Sequence, residues 1–323
     1  MNSRLSSFLF QRYLAYLYRS NLNYFFPMFS KAPDYLNFAY PDFSVQYFIL
    51  SLGKHEEITL QGQIPTEKIH YFSMTLYDVN GNAFYSKNDS QIEKEYSISF
   101  QPKKLSCLII RFYKKKEYIN ENFINHLPTI IPSREKLKQS DILEKNIYIS
   151  NLLKKIISNK NKSIKQETLA MHDFFLPSEE KLGSLFANWD AKYLVAFAKT
   201  NIAKISFQIP KKMKNIRFIG FMASNYRTTE TDDSISFSEE EPFSTIHLWV
   251  CYKKDKEQLE KLGKTKKDAI IFWKRTNKFP ILIFRMVNTE KTFLNKIQNK
   301  KRNMTKEFLK QNLKKLYPTI EYF

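Results

Sequence analysis

Six glycines are too few for a chain of 323 residues to build the loops that cradle phosphates, and neither G-x-x-x-x-G-K-[ST] nor G-x-G-x-x-G occurs. Cysteine is rarer still. Cys107 and Cys251 cannot make a disulfide framework or a cysteine-rich zinc site. Arginine supplies only 10 of the 52 basic residues, so the formal charge of +20 is carried by lysine. No apolar run reaches the ~18 residues that a transmembrane helix needs. The first apolar stretch breaks at Gln11 and Arg12 with no small-residue cleavage site after it, which argues against a secretory leader. A cytoplasmic or otherwise intracellular protein is expected.

What is abundant points to a folded chain. Phe and Tyr number 28 and 19, and 43% of residues are hydrophobic, enough for a substantial core. Lys, Asn, Ile, Phe and Tyr are all favoured, the profile that an AT-rich genome imposes through codon supply. Much of the positive charge therefore reads as composition on solvated faces. The functional alternative is an anionic partner: nucleic acid, a phospholipid surface or an acidic protein. Near the start, Leu9, Phe10, Tyr13, Leu14 and Leu17 share one helical stripe.

An internal duplication organises the sequence. Residues 58–65 and 203–210 both alternate in polarity and both end in Gln-Ile-Pro. Apolar strand-like runs follow, Tyr71–Tyr77 and Phe218–Ala223, then an Asp-x-x-Ile at Asp89 and at Asp232. Alternating stretches Tyr96–Phe100 and Thr245–Val250 come next. Each copy closes with an apolar strand carrying an Arg, Arg111 and Arg285. The Asp-to-Arg spacing is 22 residues in the first copy and 53 in the second, so the second holds an insertion. Within it, Asp255–Leu262 predicts a short helix closed by Gly263. Asn80-Gly81 predicts a hairpin turn.

The expected architecture is mainly β with α segments: two tandem related antiparallel β-sandwich-like domains. Residues 1–39 form a helical segment, 40–135 the first β-domain and 136–190 a helical connector. Residues 191–323 form the second β-domain with its insertion and C-terminal helices. Asp141 with Glu144 makes a capping box in the connector, Ser178 caps a short helix, and Thr289 and Thr305 cap two C-terminal ones, the last of which Pro318 ends.

Gly62-Gln-Ile-Pro followed by His70-Tyr-Phe-Ser-Met-Thr-Leu-Tyr-Asp-Val-Asn-Gly81 resembles the G-x-x-P … RY-[WF]-S-x-x-x-YD-x-x-G stretch of a bacterial domain of unknown function, number 1214, often joined to number 1254. Leu108–Tyr113, Asn188–Leu194, Leu282–Met286 and Tyr317–Tyr322 are similar to positions in its two-copy members, so the resemblance spans roughly residues 40–323. It implies β-sandwich domains without an established activity, many of them exported. Departures are His70 where the pattern has Arg (copy two keeps Arg217), Ser224-Asn225-Tyr226 in place of Tyr-Asp, and Phe207 at the position of Gly62.

Arg at the end of an apolar strand is costly unless partnered. Asp89 with Arg111, and Asp232 or Asp233 with Arg285, are accordingly expected as structural pairs. The alternative is a ligand pocket clamped by these residues together with His70 and Arg217. No two histidines share a metal-ligand spacing, the cysteines lie in apolar runs, and no metal or cofactor is expected. His172-Asp173 are neighbours whose side chains diverge. Lys253–Lys267 alternates with Asp255, Glu257 and Glu260, predicting helix-surface ion pairs. The C-terminal cluster of Lys296, Lys300, Lys301, Arg302, Lys306, Lys310, Lys314 and Lys315 is the candidate surface for nucleic acid or an anionic membrane. The function expected is a non-catalytic binding or structural module. An enzyme on a small carbohydrate or ester, working in a cleft between the repeats, is the catalytic alternative.

Overall fold

The computed structural model describes residues 26–27, 41–78, 81–132, 172–177, 188–209, 216–227, 229–237, 245–288 and 306–323. The chain is mainly β and divides into two compact units. Of the described residues, 26–132 with 188–189 belong to the first, and 172–177 with 190–323 to the second. Among the described residues no helix is long and apolar enough to cross a membrane.

The first unit holds β1 (Phe26–Pro27), β2 (Val45–Leu52), β3 (Ile58–Gln63), β4 (Ile69–Asp78), β5 (Ala83–Asn88), β6 (Glu95–Phe100), β7 (Ser106–Lys114) and β8 (Thr129–Ile131). One sheet runs β1-β2-β7-β4-β5 and a smaller one β6-β3-β8, both antiparallel throughout. Side chains alternate across a strand. In β7, Leu108, Ile110 and Phe112 therefore join Ile58, Leu60, Tyr96 and Phe100 of the smaller sheet in one apolar cluster. The opposite face of β7, with Cys107, Ile109, Arg111 and Tyr113, is buried too. Burial on both faces explains why the strand reads as an unbroken apolar run.

The second unit holds β9 (Ala191–Phe197), β10 (Ile202–Phe207), β11 (Ile216–Asn225), β12 (Thr231–Phe237), β13 (Ile246–Tyr252), β14 (Ala269–Trp273), β15 (Pro280–Asn288) and β16 (Thr319–Tyr322), with helices α1 (Gln258–Lys261) and α2 (Lys306–Leu313). Its sheets run β12-β11-β15-β9 and β14-β13-β10-β16. Leu248 and Val250 of β13 meet Phe221, Leu282 and Phe284 in the core between them.

Strand orders in the two units correspond. β2-β7-β4-β5 matches β9-β15-β11-β12 in chain position, and β6-β3-β8 matches β13-β10-β16. The irregularities correspond as well. Register against the neighbouring Arg-bearing strand shifts between Ile69 and Tyr71 in β4 and between Ile216 and Phe218 in β11. A second shift lies between Leu76 and Tyr77, and between Ala223 and Ser224.

The hairpin of β4 and β5 forms, with the Gly81 N–H donating to the Asp78 carbonyl at φ 78°. The insertion contains the expected helix, shortened to one α-turn after a 3-10 turn at Lys253–Asp255 and closed by Gly263 at φ 90°. It also contains β14, parallel to β13, which the alternation did not announce. In the segment read as helical from 1 to 39, Phe26–Pro27 is a strand paired with β2. The expected caps at Asp141, Ser178, Thr289 and Thr305 lie outside the described residues.

Candidate functional site

The arginine landmarks of the two units occupy matching places. Arg111 stands opposite Tyr47 on β2 and Ser73 on β4; Arg285 stands opposite Tyr193 on β9 and Gly220 on β11. Arg111 is 2% exposed and Arg285 4%. The Arg111 guanidinium donates to the Tyr77 hydroxyl at 2.7 Å and the Thr75 hydroxyl at 3.3 Å. It lies 5.4 Å from the Tyr77 ring centre and 6.0 Å from that of Tyr47. Arg285 lies 5.1 Å from the Tyr193 ring. Ring faces are negative, so a tyrosine beside a desolvated guanidinium offsets part of its burial cost. His70 and Arg217, the landmark positions ahead of the aromatic pair, are the residues skipped by the first register shift of β4 and β11. Such bulges re-aim a side chain without ending the strand.

Asp232 behaves differently from expectation. Asp232, 5% exposed, accepts from Asn277 Nδ2 at 2.5 Å and so is bound by the loop after β14 rather than by Arg285. Asn277 also donates to the Ser224 carbonyl, and its own carbonyl accepts from the Tyr252 hydroxyl at 2.9 Å. Burial pushes the Asp232 carboxyl up to about 6 against these hydrogen bonds. Asp233 accepts the backbone N–H of Phe272 at 3.1 Å. Phe272 sits on β14, the outermost strand of its sheet, so Asp233 satisfies a donor on an open edge. The Asp89 N–H donates to the Phe72 carbonyl, prolonging the β4–β5 pairing.

Gly62 is where a close approach requires it. A Cβ there would lie 2.8 Å from the Tyr96 hydroxyl and 3.2 Å from Pro128 Cα. In the second unit Phe207 stands at this position, and its own ring fills the core, 5.0 Å from Phe221. Each unit thus supplies one aromatic ring there, from β6 in one and from β10 in the other.

Two arrangements escaped the sequence reading. Lys114 is buried, donates to the carbonyls of Ile119 and Glu121, and is pushed down to about 8 by desolvation. Ser206 and His247 face each other across β10 and β13, with Oγ and Nδ1 2.8 Å apart. Among the described residues no carboxylate lies within 4 Å of His247. Asp268, at the start of β14, is instead spent on Thr265 and on the Trp249 indole at 2.9 Å. The pair was illegible because no nucleophile motif surrounds Ser206. His172 and Asp173 diverge as expected: the imidazole contacts the Phe197 carbonyl, and Asp173 pairs with Lys306 at 2.5 Å.

No known family profile matches the chain, and no curated protein does. Among solved structures it is similar to an uncharacterised protein from Burkholderia cenocepacia, at 9% identity and a TM-score of 0.59, covering 98% of this chain and 86% of that one. It is also similar to the VPA0106 protein from Vibrio parahaemolyticus, at 9% identity and a TM-score of 0.49, covering 99% and 98%. At this identity the first likeness concerns fold alone.

The basic residues divide. Lys296, Lys300, Lys301 and Arg302 lie outside the described residues. Of the rest of that cluster, Lys306 is engaged by Asp173, Lys310 lies 5.9 Å from the Tyr317 ring, and Lys314 and Lys315 are exposed in the 3-10 turn after α2. The insertion does not form its expected helix-surface ion pairs. None of its lysines lies within 4 Å of a carboxylate among the described residues. The helix is a single turn, too short to set acids and lysines one turn apart.

Proposed function

We propose that this chain is a non-catalytic binding module, working inside the cell. Its two β-sandwich units arose by duplication, in the manner of the two-copy members of domain family 1214. The observation that carries this reading is the shared setting of Arg111 and Arg285. Each is buried on the corresponding strand, beside a tyrosine of the corresponding neighbour. Charged residues common to both copies are thus accounted for by holding strands together, not by presenting a clamp to a ligand. One apolar cluster between two sheets in each unit supports the sandwich. Corresponding strand orders and bulges support the duplication.

The Ser206–His247 contact favours a second reading, ester hydrolysis with Ser206 as nucleophile and His247 as base. The purified chain is expected to leave 4-nitrophenyl acetate and 4-nitrophenyl glycosides at the rate of buffer alone. Turnover that Ser206→Ala abolishes would establish the enzyme instead.

A further inference from the structure

The second unit spends 27 residues, 253–279, between β13 and β15, where the first unit joins β6 to β7 with only 101–105. We infer that this insertion is a docking surface for an anionic phospholipid bilayer. The inference deepens the binding-module reading and rests on it.

Topology places the insertion on one face. β13 and β14 are parallel neighbours, so the chain between them must cross over the sheet. Leu259 of α1 is fully buried in a small cluster with Ile202, Trp249 and Cys251, the side chains of β10 and β13 that point away from the main core. One buried leucine therefore fixes the crossover to the outer face and leaves its polar residues outward. Residues 253–278 carry ten Lys and Arg against four acids, Asp255, Glu257, Glu260 and Asp268. Of the ten cations nine are exposed, and of the four acids Asp255 is buried and Asp268 half-buried.

Cations gather at both ends of the β13–β14 pair. Tyr252 pairs with Trp273, so Lys253 and Lys254 emerge at the same end of the sheet as Lys274 and Arg275. Leu248 pairs with Ala269, so Lys266 and Lys267 emerge at the other end. Those ends are about 13 Å apart at ~3.3 Å per residue. The screening length at physiological salt is about 8 Å, shorter than this separation, so the two ends act as separate contact points, each drawn to an anionic surface on its own.

The composition selects the partner. Only one of the ten cations is Arg, so the bidentate fork that reads phosphate and guanine edges is nearly absent. Among the described residues the insertion exposes no large aromatic for stacking on bases. Its single helical turn is too short to serve as a groove-reading helix. Exposed lysines on flexible stems suit a diffuse anionic surface, on which each contributes independently.

The test is co-sedimentation of the full chain with phosphatidylcholine vesicles, with and without 30% phosphatidylserine. Binding is expected only to the anionic vesicles, and 0.5 M salt should release it. Reversing Lys253, Lys254, Lys266, Lys267 and Lys274 to Glu should weaken binding more than about 100-fold. Reversing Lys310, Lys314 and Lys315 should leave it nearly intact. Thermal melting confirms that both variants are folded; should the reversed variant fail to fold, the same five positions changed to Gln should still lower binding more than about tenfold. Equal binding to neutral vesicles, insensitivity to the five changes, or preference for a DNA duplex over the anionic vesicles would overturn the inference. Loss of lipid binding alongside Ser206-dependent ester turnover would overturn the module reading as well, whereas loss without turnover removes only the lipid assignment.

Discussion

In the first unit Tyr77 of β4 meets Arg111 of the neighbouring β7. The hydroxyl accepts from a guanidinium that is 2% exposed. Removing it in Tyr77→Phe leaves a buried charged donor one acceptor short, at a cost of about 1.5–3 kcal/mol. Urea unfolding should show this as a lower midpoint with unchanged slope; a loss below about 0.5 kcal/mol would mean that the ring alone holds the cation. Asp232 makes a pH-dependent contribution of definite sign. Its folded value near 6 lies above the ordinary 3.8, so the native state keeps a proton that the unfolded chain has lost. The stability it adds is complete below pH 4 and disappears as pH rises through 6, about 3 kcal/mol in all. The difference between wild type and Asp232→Asn should trace that fall, and a difference independent of pH would contradict it. The sequence marked Arg111, Arg285 and Asp232 through their repetition. It could not say that Asn277 rather than Arg285 meets Asp232, because those two residues are 45 apart along the chain and no local pattern links them.

At the scale of elements, alternation and apolar runs were enough to locate β4, β6, β7, β11, β13 and β15. These are long strands whose burial pattern repeats every second residue or is continuous. Short strands with remote partners left no trace. β16 has four residues and pairs with β10 more than a hundred positions earlier, and β14 joins β13 in parallel through a crossover. The β3–β6 crossing gives the sharpest test of how an element is packed. Gly62→Ala would press a methyl against Tyr96 and Pro128 and should cost about 1–3 kcal/mol. The Tyr96 hydroxyl is buried without a hydrogen-bond partner among the described residues. Tyr96→Phe should therefore be tolerated alone and should restore part of the loss in the double variant. Strict additivity of the two changes would show that Pro128, and not the tyrosine, sets the limit at Gly62.

For the whole molecule, the two units share one strand order, and the second carries the added basic insertion. The charge of +20 left nucleic acid, a phospholipid surface and an acidic protein open as partners. The fold redirects attention from the C-terminal cluster, one of whose lysines is held by Asp173, to residues 253–278 on the outer face of a sheet. Backbone amide exchange on the full chain tests the framework most directly. Exchange follows the depth of each strand within its sheet. If the units share one plan, amides of β7 and β4 should be the slowest in the first, and those of β15 and β11 the slowest in the second. The edge strands β5 and β12 should open earlier by similar factors. Slowest exchange in non-corresponding strands, such as β7 in one unit and β12 in the other, would contradict the account.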